Sequence, residues 1–407
     1  MPMTYEQFRE RHMRLDMSRG KPSPEQLDLS QALIERAAQA GHLARDGFDC
    51  RNYGLADGLP EARELGAQLL DVPAAQVIAA GNSSLELMHD ALAFARLHGL
   101  PSEDGEAKPW RGEREIAFLC PSPGYDRHFA ICEALGVRMI AVPMNDDGPD
   151  MDFVETLVRD DPSIKGIWCV PLYSNPTGAL YSDEVVRRLA SMPAAADFRL
   201  FWDDAYRFHH LTDARLATTN VLAACEAAGH PDRAFVFASL SKVTIAGGAL
   251  AWFASSPRNI AWWRQRTSVR TIGPDKLNQL RQVHFLRDRA TLEGLMDRHR
   301  AILKPKFDTV EQVFRARLGG VSEVHWSTPR GGYFISLYGP RGCARRTVEL
   351  AADAGLALTP AGAAFPYGVD PHDSHLRIAP SFPSLDEVAL AAQGIAVSLL
   401  RAIDERS

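Results

Sequence analysis

No two of the six cysteines (Cys50, Cys120, Cys132, Cys169, Cys225 and Cys343) stand at CxxC spacing. Thiols scattered in this way fit reduced, inert side chains of a cytoplasmic protein better than disulfides or a metal site, and no metal is expected. Long apolar runs are also missing: nothing approaches the roughly 20 residues that cross a bilayer. Residues 1–14 are polar and charged where a secretory leader would be apolar, so neither membrane insertion nor export is expected. Positive charge is in short supply, with 45 Lys and Arg against 51 Asp and Glu and a formal net charge of -6, which argues against a nucleic-acid partner. There is no internal repeat, heptad or low-complexity segment; the Ala-rich stretches at 194–196 and 223–224 are too short to count. What remains is an ordinary globular composition over 407 residues, 46% hydrophobic and 24% charged, long enough for two domains or one large α/β domain with an appendage.

One stretch organises the rest. Residues 233–238 are short, apolar and β-rich, which reads as a buried strand, and Ser239-Leu240-Ser241-Lys242 follows, with the pair Gly247-Gly248 beyond it. Ligands of α/β sheets bind at the C-terminal ends of the strands, where a lysine can lose charge by desolvation and act as a Schiff-base nucleophile. Taken alone, Ser-x-Ser-Lys is equally a surface lysine after a strand, so the decision rests on other residues.

In chain order, residues 5–15 read as a short amphipathic helix, and the Gly- and Pro-rich run 16–24 as an ordered arm or loop. Ser30 can cap a helix running to about Arg45, and residues 52–60 form a turn-rich loop that contains Tyr53 and ends at Pro60, a helix start. Residues 77–80 read as a strand, and Gly81-Asn82-Ser83-Ser84 opens a helix to Leu97. Strand, small polar turn and helix start make a ready anion site from backbone N–H groups and the helix dipole, although Ser83 can equally be a plain N-cap. After a hydrophilic insertion at 100–115, strands at 116–120, 138–142, 166–170 and 200–202 alternate with helices at 125–135 and 151–159, the pattern of a parallel sheet flanked by helices. Each strand end carries polar residues: Tyr125, then Asn175, then Asp203 and Tyr206. Asp203 there is either a buried acid paired with a cationic group or a helix cap. Beyond a strand at 249–254 and a helix at 257–269, residues 271–276 form a loop. Residues 277–318 read as almost continuous helix, long enough to bridge two lobes. Strands at 324–326, 333–337, 356–359 and 375–378, with helices at 344–354 and the C-terminus, make a smaller α+β lobe.

A lysine, an acid, two tyrosines, an asparagine and a phosphate-ready helix start together match the needs of one cofactor, pyridoxal 5′-phosphate. Lys242 would form the imine and Asp203 would keep the pyridine nitrogen protonated. Asn82, Ser83 and Ser84, with the Ser239 hydroxyl, would take the phosphate. Asn175 and Tyr206 would hydrogen-bond the ring hydroxyl, and Tyr125 would lie against the ring face.

Six motifs in order, Tyr53 with Gly58-Leu59-Pro60, Asn175-Pro176-Thr177-Gly178, Asp203-x-x-Tyr206, Ser239-x-Ser241-Lys242, Gly331-Gly332-Tyr333-Phe334 and Leu376-Arg377-Ile378, cover nearly the whole chain. On them the sequence resembles the fold-type I, aspartate-aminotransferase-like superfamily, and residues 18–22 with 271–279 resemble its divergent subgroup labelled aspartate aminotransferase or MocR-like. The resemblance implies an α/β fold: a mainly parallel sheet of seven-stranded type in a large domain at 46–295, with an N-terminal arm at 1–45 and a small domain at 296–407. It implies a homodimer in which Tyr53 and the loop at 271–276 reach the partner's cofactor. It implies a transaminase that moves an amino group between an L-amino acid, aspartate or similar, and a 2-oxo acid such as 2-oxoglutarate. Arg377 would then bind the substrate α-carboxylate, Gly20 would contact the substrate, and Arg19 is a candidate second cation by its position and charge. Other readings on the same scaffold are a lyase or decarboxylase and the effector module of a MocR-type regulator. The fold starts near Ser18 with no basic DNA-binding segment ahead of it, which argues against the regulator. One departure stands out: family members usually carry a phosphate-binding arginine eight residues after the lysine, where this chain has Leu250. Lys276 in its Gly-Pro-Asp-Lys loop is the favoured replacement, ahead of Arg270.

Overall fold

Between Val77 and Ala254 the chain alternates strand and helix, and the strands lie side by side in one sheet. Their spatial order is Val77–Ala79, Ala251–Ala254, Ala234–Ser239, Arg199–Asp203, Ile164–Cys169, Ala117–Ser122, Arg138–Asn145 and Gly148–Pro149. The computed structural model describes residues 3–35, 41–101 and 108–406. Contacts from Ala234–Ser239 across to Arg138–Asn145 are all parallel, while Ala251–Ala254 runs antiparallel to both of its neighbours. The eighth strand is a two-residue edge paired with Met144 and Asn145, so the sheet is of the expected seven-stranded type plus this hairpin.

The central strands are buried along their whole length because helices cover both faces, which is why they read as unbroken apolar runs. Alternate side chains feed two cores. Leu119, Ile167, Leu200 and Val236 face one side, and Phe118, Trp168, Phe201 and Phe235 face the other as an aromatic layer, with Trp168 and Phe201 centroids 4.9 Å apart.

A third core lies in the C-terminal part. The antiparallel strands His325–Trp326, Ile335–Tyr338 and His375–Ile378 pack under the helices Ala344–Asp353 and Leu385–Arg406. The N-terminal arm joins this part: Leu15 and Asp16 pair in parallel with Leu356 and Ala357, and Phe8 is fully buried. The helix Arg289–Leu318 spans the cores, giving Leu292, Leu295 and Met296 to the large one and Leu303, Phe307 and Phe314 to the third.

Several local expectations are corrected. The helix expected over 5–15 is Tyr5–Arg9; the chain leaves it at His12, whose φ is 49°, and becomes strand at Leu15 because Leu356 offers a free edge. The helix expected from Ser30 to about Arg45 is seen as Gln31–Glu35; residues 36–40 lie outside the described residues, and Leu43 is already in a bridge with Asp49. The long helical run breaks at Arg287, φ 58°, where the Asp288 carboxylate accepts from Thr291 N and starts a new helix. Of the insertion at 100–115, residues 102–107 lie outside the described residues, but Trp110 is a buried anchor that donates from Nε1 to Asp197 at 2.8 Å. Helices Asp183–Ser191 and Val221–Ala227, which the sequence reading did not single out, fill the space beside the sheet.

Candidate active site

Because the central strands are parallel, their C-terminal ends share one edge, and the polar residues that follow them converge there. Asp203 is the last residue of Arg199–Asp203, Ser239 the last of Ala234–Ser239, Tyr125 follows Ala117–Ser122, and Asn175 follows Ile164–Cys169. Lys242 lies three residues beyond Ser239, with Nζ 4.9 Å from the centre of the Tyr206 ring. Burial pushes its amine below the usual lysine range, and Asp203 opposes that shift. No acid is within ion-pair distance of Nζ among the described residues.

Asp203 is neither salt-bridged to a permanent cation nor a helix cap. It is 3% exposed, its Oδ2 accepts from His128 Nε2 at 3.1 Å, and its Oδ1 is buried with no partner. His128 lies flat on Trp168, with centroids 4.3 Å apart and planes 8° apart. The sequence reading missed His128, yet it had a signal: it stands one helical turn after Tyr125, on the same face of Asp126–Ala134. Asp204, adjacent in sequence, has a different environment. It is ion-paired to Arg207 at 2.7 Å, and burial raises its pKa despite that pair.

Tyr206 and Asn175 are each 3% exposed, and Asn175 Oδ1 is a second buried acceptor with no partner. Burial, then the charge of Asp203, raise the Tyr125 phenol; burial, then Tyr125 and Asp203, raise that of Tyr206, so both stay neutral at physiological pH.

The helix Ser84–His98 starts beside the lysine turn. Ser83 is its N-cap, with Oγ accepting from Glu86 N, so the capping role is real; Asn82 donates to Gly247 O at 3.3 Å. A hydroxyl chain runs from Ser239 Oγ to Ser241 Oγ at 3.1 Å and on to Asn82 O at 3.2 Å. Leu250 is wholly buried. Lys276 is 4% exposed and donates to Gly54 O at 3.0 Å, beside exposed Tyr53. Arg270 is ion-paired with Glu86 and Asp90.

Arg377 is 8% exposed, stacked over Phe334 at 5.2 Å, and donates from Nη1 to Asp126 Oδ1 at 3.0 Å and from Nε to Thr359 Oγ1 at 3.4 Å. Thr359 in turn donates to Ser18 O, tying the arginine to the arm. Gly20 is pressed so closely on Phe334 that a Cβ there would sit 2.3 Å from the ring. Arg19 is exposed.

The family model described as "Aspartate amino-transferase" matches residues 1–407. This chain belongs to the aspartate aminotransferase family. It is 50% identical to a putative aminotransferase of Mycolicibacterium smegmatis over 98% of this chain and 94% of that protein. It is 42% identical to an aspartate aminotransferase of Corynebacterium glutamicum over 98% and 92% of the two chains. The crystal structure of an aspartate transaminase from C. glutamicum superposes with a TM-score of 0.95 at 42% identity, covering 99% of this chain and 94% of the other. A Thermus thermophilus α-aminoadipate aminotransferase complexed with N-(5′-phosphopyridoxyl)-L-leucine shares the fold, at a TM-score of 0.78 and 20% identity, covering 99% of this chain and 96% of the other. The expectation of a fold-type I aminotransferase is met, and these relatives lend no support to a lyase or a transcription regulator.

Proposed function

We propose that this aminotransferase uses pyridoxal 5′-phosphate to move the amino group of aspartate, or a similar acidic L-amino acid, to 2-oxoglutarate. The observation that carries the reading is Asp203: a buried carboxylate with one oxygen held by His128 and the other unpartnered, facing the strand-end region that holds Lys242. A buried acceptor left open in this way calls for a donor, and a protonated pyridine nitrogen is one. When bound, the cofactor supplies an aldehyde that exchanges amines and a ring that accepts electrons.

The residues then divide the work. Lys242 Nζ, whose pKa burial lowers, would hold the cofactor and move the proton from the substrate α-carbon. Asp203 Oδ1 would hold the ring N–H, and Asn175 and Tyr206 would serve the ring hydroxyl. Tyr125 would flank the ring. Asn82, Ser83, Ser84 and Ser239 take the phosphate, with Lys276 as the cation. Lys276 suits that role because its buried ammonium meets carbonyl oxygens and the Phe48 ring and, among the described residues, no carboxylate, while two carboxylates already neutralise Arg270. Arg377 offers its guanidinium to the α-carboxylate, Gly20 lets the arm close over Phe334, and Arg19 is the cation for a second carboxylate.

A homodimer is part of the proposal. Tyr53, Val269 and Ile272 are 77%, 92% and 63% exposed around the loop that Lys276 ties down, an apolar patch that a second copy would cover. A large domain at 46–295 and a small one formed with the arm are likewise proposed. No described helix is long and apolar enough to cross a membrane, and the six cysteines are buried and unpaired, which fits the proposed cytoplasmic location. A panel of amino donors against 2-oxoglutarate tests the substrate: aspartate should exceed alanine, valine and phenylalanine at least about tenfold in kcat/KM, the margin of one charge-assisted contact. A neutral donor outrunning aspartate would overturn the substrate assignment.

A further inference from the structure

The main-chain carbonyls of Lys242 and Val243 are held by side chains from three remote segments. Lys242 O accepts from His209 Nε2 at 3.1 Å and from the Tyr333 hydroxyl at 3.4 Å, and Val243 O accepts from His299 Nε2 at 3.0 Å. Behind Tyr333 and His299 stands one residue of the N-terminal segment: Gln26 Nε2 donates to the Tyr333 hydroxyl and to His299 Nδ1, each at 2.9 Å. We propose that Gln26 is a positioning residue for Lys242, acting through Tyr333 and His299. The proposal rests on the reading of Lys242 as the amine that holds the cofactor.

Donor arithmetic supports it. Gln26 Oε1 accepts from Ser23 N at 3.1 Å, which fixes the amide orientation and leaves its two N–H groups for two acceptors. His299, accepting at Nδ1, must carry its hydrogen on Nε2, the atom that faces Val243 O. Tyr333, accepting from Gln26, has its one hydrogen free for Lys242 O. Each of these hydrogens has an acceptor: turning the Gln26 amide over would set its N–H against Ser23 N–H, and moving the His299 hydrogen to Nδ1 would set it against Gln26 N–H and leave Val243 O facing a bare nitrogen. The members are sealed from water: Gln26 and Tyr333 are 0% exposed, His299 1% and His209 3%. Burial holds both imidazoles neutral, with pKa values pushed down to about 4 for His299 and about 3 for His209, so the required tautomers persist at physiological pH.

The placement gives the network a consequence beyond stability. Gln26 lies in Pro24–Asp28, immediately after the arm that carries Arg19 and Gly20, and 307 residues separate it from Tyr333. A displacement of the arm is therefore transmitted to the backbone of the lysine, where a shift of about 1 Å is enough to misplace a reacting atom.

The test compares holoenzymes of wild type, Gln26→Leu, Tyr333→Phe and the double variant by kcat, KM, thermal midpoint and the pH at which the bound cofactor changes absorbance. Gln26→Leu should lower kcat about fivefold to tenfold with KM within about twofold, the effect of one neutral hydrogen bond. It should also move the absorbance transition by about half a pH unit. In the Tyr333→Phe background the same change should cost less than in the wild type, leaving only the part carried through His299. Additive effects would overturn the proposal, as would a lowered thermal midpoint with kcat and the absorbance transition unmoved. If Gln26→Leu fails to fold, Tyr333→Phe, which keeps the ring, still decides: the same kcat loss and transition shift support the relay, and wild-type values overturn it. Borohydride reduction of the wild type separates the two readings. A label on Lys242 with an unmoved transition in Gln26→Leu overturns the relay alone, whereas a label on another lysine overturns both.

Discussion

His128 donates through Nε2 to Asp203 Oδ2, 3.1 Å away, and lies flat against Trp168, so the acid at the end of its strand is oriented by an imidazole that is itself held by stacking. Asp203→Asn should keep the fold and retain the cofactor but lose on the order of 100-fold in turnover, because the neutral amide no longer holds the ring proton. His128→Phe, which preserves the stack and removes the bond, should cost about tenfold. Steady-state kinetics on both variants checks this; wild-type turnover in Asp203→Asn would move the role to another acid.

The cation opposite the phosphate is open to direct comparison. Lys276→Ala should weaken cofactor retention by about tenfold or more, the loss of a charge-assisted contact, whereas Arg270→Ala should leave retention near wild type. Dialysis followed by absorbance of the remaining cofactor gives the answer. Equal retention in Lys276→Ala and wild type means that backbone dipoles and hydroxyls carry the phosphate.

Much of this site was legible because parallel strands bring their ends together. The residues after each apolar run, Tyr125, Asn175, Asp203 and Lys242, converge whatever the loops between them do. What was not legible depends on partners far apart in the chain. Nothing in the sequence around His128 says that Trp168 will be its stacking partner, nor around Gln26 that Tyr333 and His299 will meet it. The break of the long helix at Arg287 was equally hidden, since its flanks on both sides keep helical periodicity and only a left-handed backbone angle separates them.

Shared sites follow from the proposed homodimer. Tyr53 is too exposed to serve its own chain's core, and Lys276 holds its loop at Gly54. Mixing equal amounts of Lys242→Ala chains and Tyr53→Phe chains, each severely impaired on its own, should restore up to about a quarter of wild-type activity in the mixture, because about half of the dimers are heterodimers and each of these has one intact site of two. Heterodimers shown to form with no restored activity would count against residues shared across the interface.

Acid should unfold the protein earlier than its carboxylates alone require. Burial lowers the pKa of His209 and His375 to about 3 and of His210 and His299 to about 4. A depressed histidine contributes its full stability above its unfolded value near 6.5, and the contribution is lost as pH falls toward the folded value. Between about pH 6 and 4 each such group adds up to about 1.4 kcal/mol per pH unit to the slope of stability against pH. Urea midpoints measured across that range should fall steeply on acidification, and less steeply in His299→Gln; a flat profile would contradict buried neutral imidazoles.

The measurement closest to the central claim is the identity of the lysine that holds the cofactor. The protein purified with pyridoxal 5′-phosphate should be yellow, and borohydride reduction followed by peptide mapping should place the adduct on Lys242, whose amine is desolvated and has no ion-paired acid among the described residues. Lys242→Ala should yield no reduced adduct. A wild-type adduct mapped to any other lysine would contradict the account.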